Sequence, residues 1–310
     1  MQKLVSLPTK EIFKRLRLPV IAAPMFSVST PELVLAACKQ NIGAAFPAAS
    51  AKSSHALREW MAAMPTSLTD DQGKVDGFWG ISVVAHKTNS RLNLEIEFIA
   101  EFKPPFVVSA LGVPSALIEA VHSYGGLIFS DVTTIKHARK AACWDVDGLI
   151  LICAGAGGHT GTLSPFAFVD AVRDFWSGTL IVAGGISSGH MIKAALSLGV
   201  DAVYIGSYFI TADEGGASSG YRDALISANA DDVEMSDRLS GVKANFLKVS
   251  IESIWSELNS ANNSTHDFYR DFGSRRLWFD LYSAGHGVGK IIESKSMDKL
   301  IDDLNQGFEG

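Results

Sequence analysis

Eight short apolar runs, each separated from the next by a stretch of helical pattern, constrain this chain more than any other feature. The runs cover 20–23, 42–46, 78–84, 106–109, 127–130, 148–153, 180–183 and 202–205, with helix-like stretches between them at 31–39, 53–64, 91–101, 114–124, 135–142, 166–176 and 188–198. Strands that are apolar on both faces and alternate with helices belong to a parallel sheet covered by helices. Eight such units favour a closed (β/α)8 TIM barrel over an open doubly wound sheet. A G-x-G-x-x-G turn after the first run would favour the open sheet, and Ala22-Ala23-Pro24-Met25-Phe26 does not supply it. Helix starts agree with the alternation. Thr30 before Pro31 reads as an N-cap followed by the first helical residue, and Val113-Pro114-Ser115 and Ser164-Pro165 have the same form.

The chain has 310 residues, and a barrel of about 250 leaves a surplus of about 60. The surplus is placed at 213–267, acidic at first (Asp231, Asp232, Glu234, Asp237) and helix-like from 249 to 258. The expected division is a barrel core over 1–212, a helical lid insertion over the C-terminal mouth at 213–267, and a segment over 268–310 that returns to the barrel.

Composition narrows the function classes. With 47% hydrophobic and 19% charged residues the chain can bury a large core. The net charge of −6, with no cluster of Lys or Arg, argues against a nucleic-acid partner. No stretch approaches the ~18 apolar residues of a membrane span. Lys3, Lys10, Lys14, Arg15 and Arg17 precede no apolar leader core, so no signal peptide is expected. Three cysteines, Cys38, Cys143 and Cys153, are odd in number and lack metal-ligand spacing. That usage fits a reduced, cytoplasmic compartment and predicts no bound metal.

Functional residues of such a barrel sit just past the C-terminal ends of its strands. Pro24 and Met25 follow the first strand, Ser82 and His86 are placed after the third, and Asp131 and Thr133 after the fifth. Ala183-Gly184-Gly185-Ile186 and Ile205-Gly206-Ser207 follow the seventh and eighth, where barrels hold phosphate. Glycine there lets the backbone approach an anion. The loop after the sixth strand, 154–161, surrounds His159 with four glycines, so the imidazole can project beside a flat ligand. A loop histidine that merely bonds the backbone is the bland reading, and its position outweighs it. His55, His122, His137 and His190 lie in helical stretches and read as solvated, and His266 as part of the lid. No paired carboxylates, Ser-His-Asp order or metal cluster stands out. Chemistry borrowed from an organic cofactor fits better.

These motifs resemble the FMN-dependent nitronate monooxygenases, formerly 2-nitropropane dioxygenases. The resemblance rests on Ala23-Pro24-Met25, Ala156-Gly157-Gly158-His159-Thr160-Gly161, Ala183-Gly184-Gly185-Ile186, Gly206-Ser207 with Tyr208-Phe209-Ile210, and Ser283-Ala284-Gly285-His286-Gly287-Val288-Gly289. It implies FMN across the barrel mouth, with Ala23, Pro24 and Met25 along the isoalloxazine. Gly184, Gly185, Gly206 and Ser207 would hold the phosphate, His159 would be the catalytic base, and Ser82, Asp131, Gly158 and His286 would complete the cofactor site. The chain departs from the family pattern at Gly155 (often Glu), Ser82 (Asn), Asp131 (a flavin-facing Lys nearby) and His286 (Gln).

The resemblance implies oxidation of nitronates and nitroalkanes by molecular oxygen to carbonyl compound and nitrite. His159, near its ordinary pKa of about 6.5, would take the α-proton. An NAD(P)H-dependent FMN reductase of enoyl or quinone type is the alternative on the same scaffold, and a silent barrel binding a phosphorylated ligand is a third. Expected partners are a small-molecule substrate and oxygen, with NAD(P)H and a homodimer both left open.

Overall fold

Side-chain alternation along the strands decides what the barrel contains and where it is open. The computed structural model describes residues 9–65, 77–254, 271–272 and 275–310. Strands β1 (Val20–Ala22), β2 (Gly43–Pro47), β3 (Trp79–Val84), β4 (Phe106–Ala110), β5 (Leu127–Val132), β6 (Gly148–Ile152), β7 (Thr179–Ala183) and β8 (Ala202–Ile205) close in that order. Parallel pairing of Ala22 with Ile205 seals the ring between β1 and β8. This is the TIM barrel expected from the alternation.

Helices α2 (Pro31–Lys39), α3 (Ser54–Ala62), α4 (Leu92–Phe102), α5 (Ser115–His122), α6 (Ile135–Ala141), α7 (Pro165–Arg173) and α8 (Gly189–Ser197) follow the first seven strands. The α2 start matches its sequence signal, for the Thr30 side chain accepts the Leu33 N–H and Pro31 is the first helical residue. Ser164 caps α7 in the same way. At α5 the reading shifts by one residue: Pro114 is itself the cap and makes no side-chain bond.

Inside the barrel, Phe106 and Phe129 pack with centroids 5.8 Å apart, and Phe78 lies 4.7 Å from Phe106. Neighbouring strands make room for these rings. A Cβ at Gly80 would sit 2.3 Å from the Phe106 ring, and one at Gly148 would sit 2.9 Å from Phe129. Helix α1 (Thr9–Arg15) adds Ile12 and Phe13 to this cluster. One inward step further along the strands, the residues are small or polar: Ser82 follows Gly80, Asp131 follows Phe129, and Tyr204 follows Ala202. The barrel is therefore packed through its aromatic layer and open at the C-terminal mouth.

The surplus departs from the helical expectation. It carries a helix at Ser219–Ile226, but also an antiparallel hairpin, Val233–Ser236 with Ala244–Leu247. The hairpin takes a third strand, Gly158–His159, from the loop after β6. Behind the acidic start of the surplus lies an apolar strand, 244–247, whose Ala244, Phe246 and Leu247 are fully buried. The helix expected from 249 begins as helical turns at Lys248–Ile251 and Glu252–Ile254, and the rest of that expected stretch, with His266, lies outside the described residues. The C-terminal helix Met297–Glu309 returns to the barrel wall and crosses α8 at Gly189, where a Cβ would meet the Phe308 N at 2.1 Å. Among the described residues no helix is long and apolar enough to cross a membrane.

Candidate active site

The open mouth is a cavity of about 620 Å³. Ala23, Pro24 and Met25 line it after β1, Ser82 from β3, Asp131 from β5, Gly158 and His159 from the loop after β6, Gly184 and Gly185 after β7, and Gly206 and Ser207 after β8. The β1 loop is held by Ser29, whose hydroxyl donates to the Ala23 carbonyl (3.2 Å) and accepts the Met25 N–H (2.9 Å).

His286 and His86 are the exceptions among the candidate site residues named from sequence. His286 is exposed, and its two glycine neighbours, Gly285 and Gly287, line the cavity instead. Its backbone N–H donates to the Gly155 carbonyl (3.0 Å). The closing segment thus reaches the site through backbone. His86 is half-buried, with Nδ1 2.9 Å from Thr88 Oγ1, and is not a lining residue.

The glycines of the middle and closing motifs interlock. A Cβ at Gly157 would meet the Gly285 N at 2.8 Å, and one at Gly285 would meet the Gly155 carbonyl oxygen at 2.4 Å. Close backbone packing, more than freedom for an imidazole, requires glycine here. Gly184 (φ 129°) and Gly185 (φ 70°) are consecutive left-handed residues, a conformation that costs a side-chain-bearing residue dearly. The Gly185 N–H donates to the Gly155 carbonyl (3.1 Å), so it pins two loops together rather than aiming at a ligand. Ser207 accepts the Gly285 N–H (2.8 Å), which leaves the hydroxyl proton for another acceptor.

His159 is fixed by the insertion. Its short strand pairs with Ala244, the Thr160 N–H donates to the Lys243 carbonyl (3.0 Å), and the Asn245 side chain donates to the Ala156 carbonyl (2.7 Å). The imidazole meets Trp278 edge-on at 4.9 Å, and Trp278 stacks on Phe246 at 5.4 Å. Its Nε2 lies 3.4 Å from Ser240 Oγ. Burial penalises the imidazolium and lowers the His159 pKa to about 4. This corrects the expectation of a value near 6.5.

Across the mouth stands a second polar pair. Burial raises the Asp131 carboxyl to about 7, opposed by a hydrogen bond from the Leu111 backbone. Asp131 lies within β5 rather than beyond it, and alternation turns it inward with Phe129. Tyr204 is 8% exposed, lines the cavity, and its hydroxyl is buried with no hydrogen-bond partner. Burial, and then the nearby Asp131 charge, hold its pKa well above the ordinary phenol value.

Sequence reasoning missed Tyr204, Trp278, Ser240 and an outer arm of the cavity. Beyond Thr133, which the strand-end count places, the arm is lined by Leu111, Gly112, Lys140, Trp144 and His137, the last of which the helical pattern reads as merely solvated. A tyrosine inside the apolar run 202–205 was a legible signal; the others become neighbours only through the fold. Among the described residues no group of three or more His, Cys, Asp or Glu could hold a metal.

A parallel barrel with a neutral imidazole, a neutral-leaning carboxyl and two glycine-bearing loops after its last strands has the layout of an enzyme that works through an organic phosphocofactor. A family model described as nitronate monooxygenase matches residues 82–268. A Mycobacterium tuberculosis protein whose name describes a monooxygenase is 32% identical over 54% of this chain, and the match spans 44% of that relative's length. A nitronate monooxygenase of Paraburkholderia phytofirmans is 27% identical, covering 82% of this chain and 80% of its own. In fold, the chain is similar to FabK from Thermotoga maritima, with a TM-score of 0.77, 20% identity, and coverage of 98% and 96%. The chain belongs to the nitronate monooxygenase family, and with it to the flavin-dependent oxidoreductases.

Proposed function

We propose that this protein uses FMN and molecular oxygen to oxidise nitroalkanes and their nitronates to carbonyl compound and nitrite. The observation that carries the reading is the placement of His159, neutral and half-buried, in the wall of a cavity that opens over the glycine loops after β7 and β8. The residues present fit FMN. The orphaned Tyr204 hydroxyl and the Asp131 carboxyl offer hydrogen bonds to the polar edge of a flavin ring, and Ser207 has a proton to give to a phosphate. When bound, FMN would accept an electron from the nitronate and pass it to oxygen.

His159 takes the α-proton of the neutral nitroalkane. An imidazole held to about 4 is a weak base toward an isolated carbon acid. The transfer, however, creates an imidazolium beside a nitronate anion, and that pairing offsets the burial penalty. General-base action of this kind is worth about 10²–10⁴ in rate. Trp278 and Val242 also line the cavity beside His159, and on this reading the insertion is the cover that keeps water from the proton transfer.

Replacing His159 with Asn tests the proposal. Turnover of neutral nitroalkane should fall about 10²-fold or more with FMN retained, and turnover of pre-formed nitronate should fall much less. Holoenzyme that releases no nitrite from any nitronate in air would sink the reading.

The outer arm supports a second reading. His137 and Lys140 on α6, with Trp144, give the cavity a basic and aromatic extension that a small nitronate does not need. An anionic, elongated substrate of a flavin reductase, or NAD(P)H itself, would use it. Anaerobic mixing separates the two, since bleaching of the flavin by NADPH or NADH supports the reductase and bleaching by nitronate alone supports the monooxygenase.

A further inference from the structure

The outer arm of the cavity is built from two walls of opposite character. One is the turn after β4. Leu111 there is 47% exposed and holds a left-handed backbone (φ 66°), which a bulky side chain rarely adopts. The turn is fixed from below: the buried Ser109 hydroxyl donates to the Gly112 carbonyl (2.6 Å), and the Leu111 backbone bonds the Asp131 carboxyl. A leucine held in this way toward open space gains little from the core, and strained positions gather at ligand sites. The other wall is α6, with Trp144 beyond its end. A spacing of three puts His137 and Lys140 on one edge of the helix, and both reach the arm. The neighbouring cation, Arg139, is used elsewhere, over the Phe175 ring at 4.2 Å. Lys140 Nζ lies 5.6 Å from the Trp144 ring centre, and among the described residues no carboxylate pairs with it. His137 Nδ1 lies 3.3 Å from Thr133 Oγ1, a contact that holds the ring by one nitrogen and leaves Nε2 to a ligand. Among the described lining residues the one carboxylate is Asp131, inside the barrel on β5.

We infer that the outer arm is a subsite for a nucleoside phosphate, with the base between Trp144 and Leu111 and the phosphate at Lys140 and His137. An indole stacks on the face of any base, and the ammonium selects the phosphorylated form as a point charge. The FMN phosphate is expected at Ser207, on a different loop, so the arm stays open when the cofactor is bound. The inference rests on the reductase reading only for what the nucleotide does there: a dinucleotide held by its adenosine end would extend its other ring toward the flavin. Binding itself does not depend on that reading.

Calorimetric titration of the FMN-loaded full chain with ADP, adenosine and inorganic phosphate tests it. ADP should bind without releasing flavin, and adenosine and inorganic phosphate should each bind about tenfold more weakly or worse. Lys140→Ala should weaken ADP about tenfold and leave adenosine nearly unchanged. Trp144→Leu, which keeps apolar bulk but removes the ring, should weaken ADP and adenosine alike, again about tenfold. Lys140 is exposed, so its replacement spares the fold. Should Trp144→Leu fail to fold, Lys140→Glu keeps the inference falsifiable, because it should abolish ADP binding and spare adenosine. ADP that does not bind, that binds the variants as it binds wild type, that binds no better than inorganic phosphate, or that displaces FMN overturns the inference. ADP binding that depends on Lys140 and Trp144, with no bleaching of the flavin by NADPH or NADH, leaves the subsite standing and removes the reductase reading.

Discussion

The Ser207 hydroxyl accepts the backbone N–H of Gly285 at 2.8 Å, and both residues line the same cavity. The loop after the last barrel strand and the closing glycine segment are thereby joined at the point where phosphate is expected. Because the oxygen is occupied as an acceptor, its proton is aimed by the bond that it accepts. Ser207→Ala should weaken FMN binding by about 10- to 100-fold, the worth of one hydrogen bond to a charged group. Fluorescence titration of apoprotein with FMN and with riboflavin measures it. The loss should be confined to FMN, and an equal loss for riboflavin would move the phosphate elsewhere.

Asp131 gives a pH signature with a defined sign. Its carboxyl titrates at about 7 in the folded chain and at 3.8 when unperturbed. Between these values the folded state binds a proton that the unfolded state does not. The carboxyl therefore contributes stability that is fully present below 3.8 and is lost as pH rises through 7. Asp131→Asn should leave apoprotein stability near pH 4 little changed and raise it at pH 8 relative to wild type. Thermal melts across that range check it. A variant less stable than wild type at pH 8 would mean that an unrecognised cation compensates the carboxylate.

His159 runs the other way. With a folded value of about 4 against an ordinary 6.5, the unfolded state binds the extra proton, so stability falls as pH drops from 6.5 through 4. His159→Asn should flatten this part of the stability profile while Asp131→Asn leaves it in place. Measured together, the two variants assign the two opposing slopes to single residues.

What the sequence shows of this molecule follows from how local each cause is. The barrel was legible because β1 to β8 each carry their own apolar run, and because Thr30 with Pro31 and Ser164 with Pro165 mark helix starts within four residues. The residues at strand ends were legible for the same reason, since Met25, Gly184 and Ser207 need only the strand count to be placed. The hairpin was not, because Ala244-Asn245-Phe246-Leu247 is short and its partner, Gly158–His159, lies some 85 positions earlier in a loop that looks glycine-rich and irregular. The His159 pKa was misjudged on the same account. Its ring is covered by Trp278, which Phe246 backs, and no local pattern encodes that approach. His286 was drawn into the site by its motif, although only the glycines beside it reach the cavity.

Asn245 is where the insertion grips the barrel most directly. Its side chain is 3% exposed and donates to the Ala156 carbonyl at 2.7 Å, while the neighbouring Ala244 pairs with His159. Asn245→Leu keeps the branched outline of the side chain, though it is bulkier, and leaves the Ala156 carbonyl buried without that donor, a cost of about 1–3 kcal/mol. The expected outcome is a lower Tm, together with a loss on neutral nitroalkane larger than the loss on nitronate, because the His159 strand is displaced while the glycine loops after β7 and β8 are untouched. Gly80→Ala provides the contrast. Its added methyl would press on Phe106 at a cost of about 1–3 kcal/mol, far from the hairpin. At matched loss of Tm, Gly80→Ala should keep the wild-type ratio of nitroalkane to nitronate turnover, and Asn245→Leu should not. Identical ratios in the two variants would show that the insertion stabilises the fold without orienting His159.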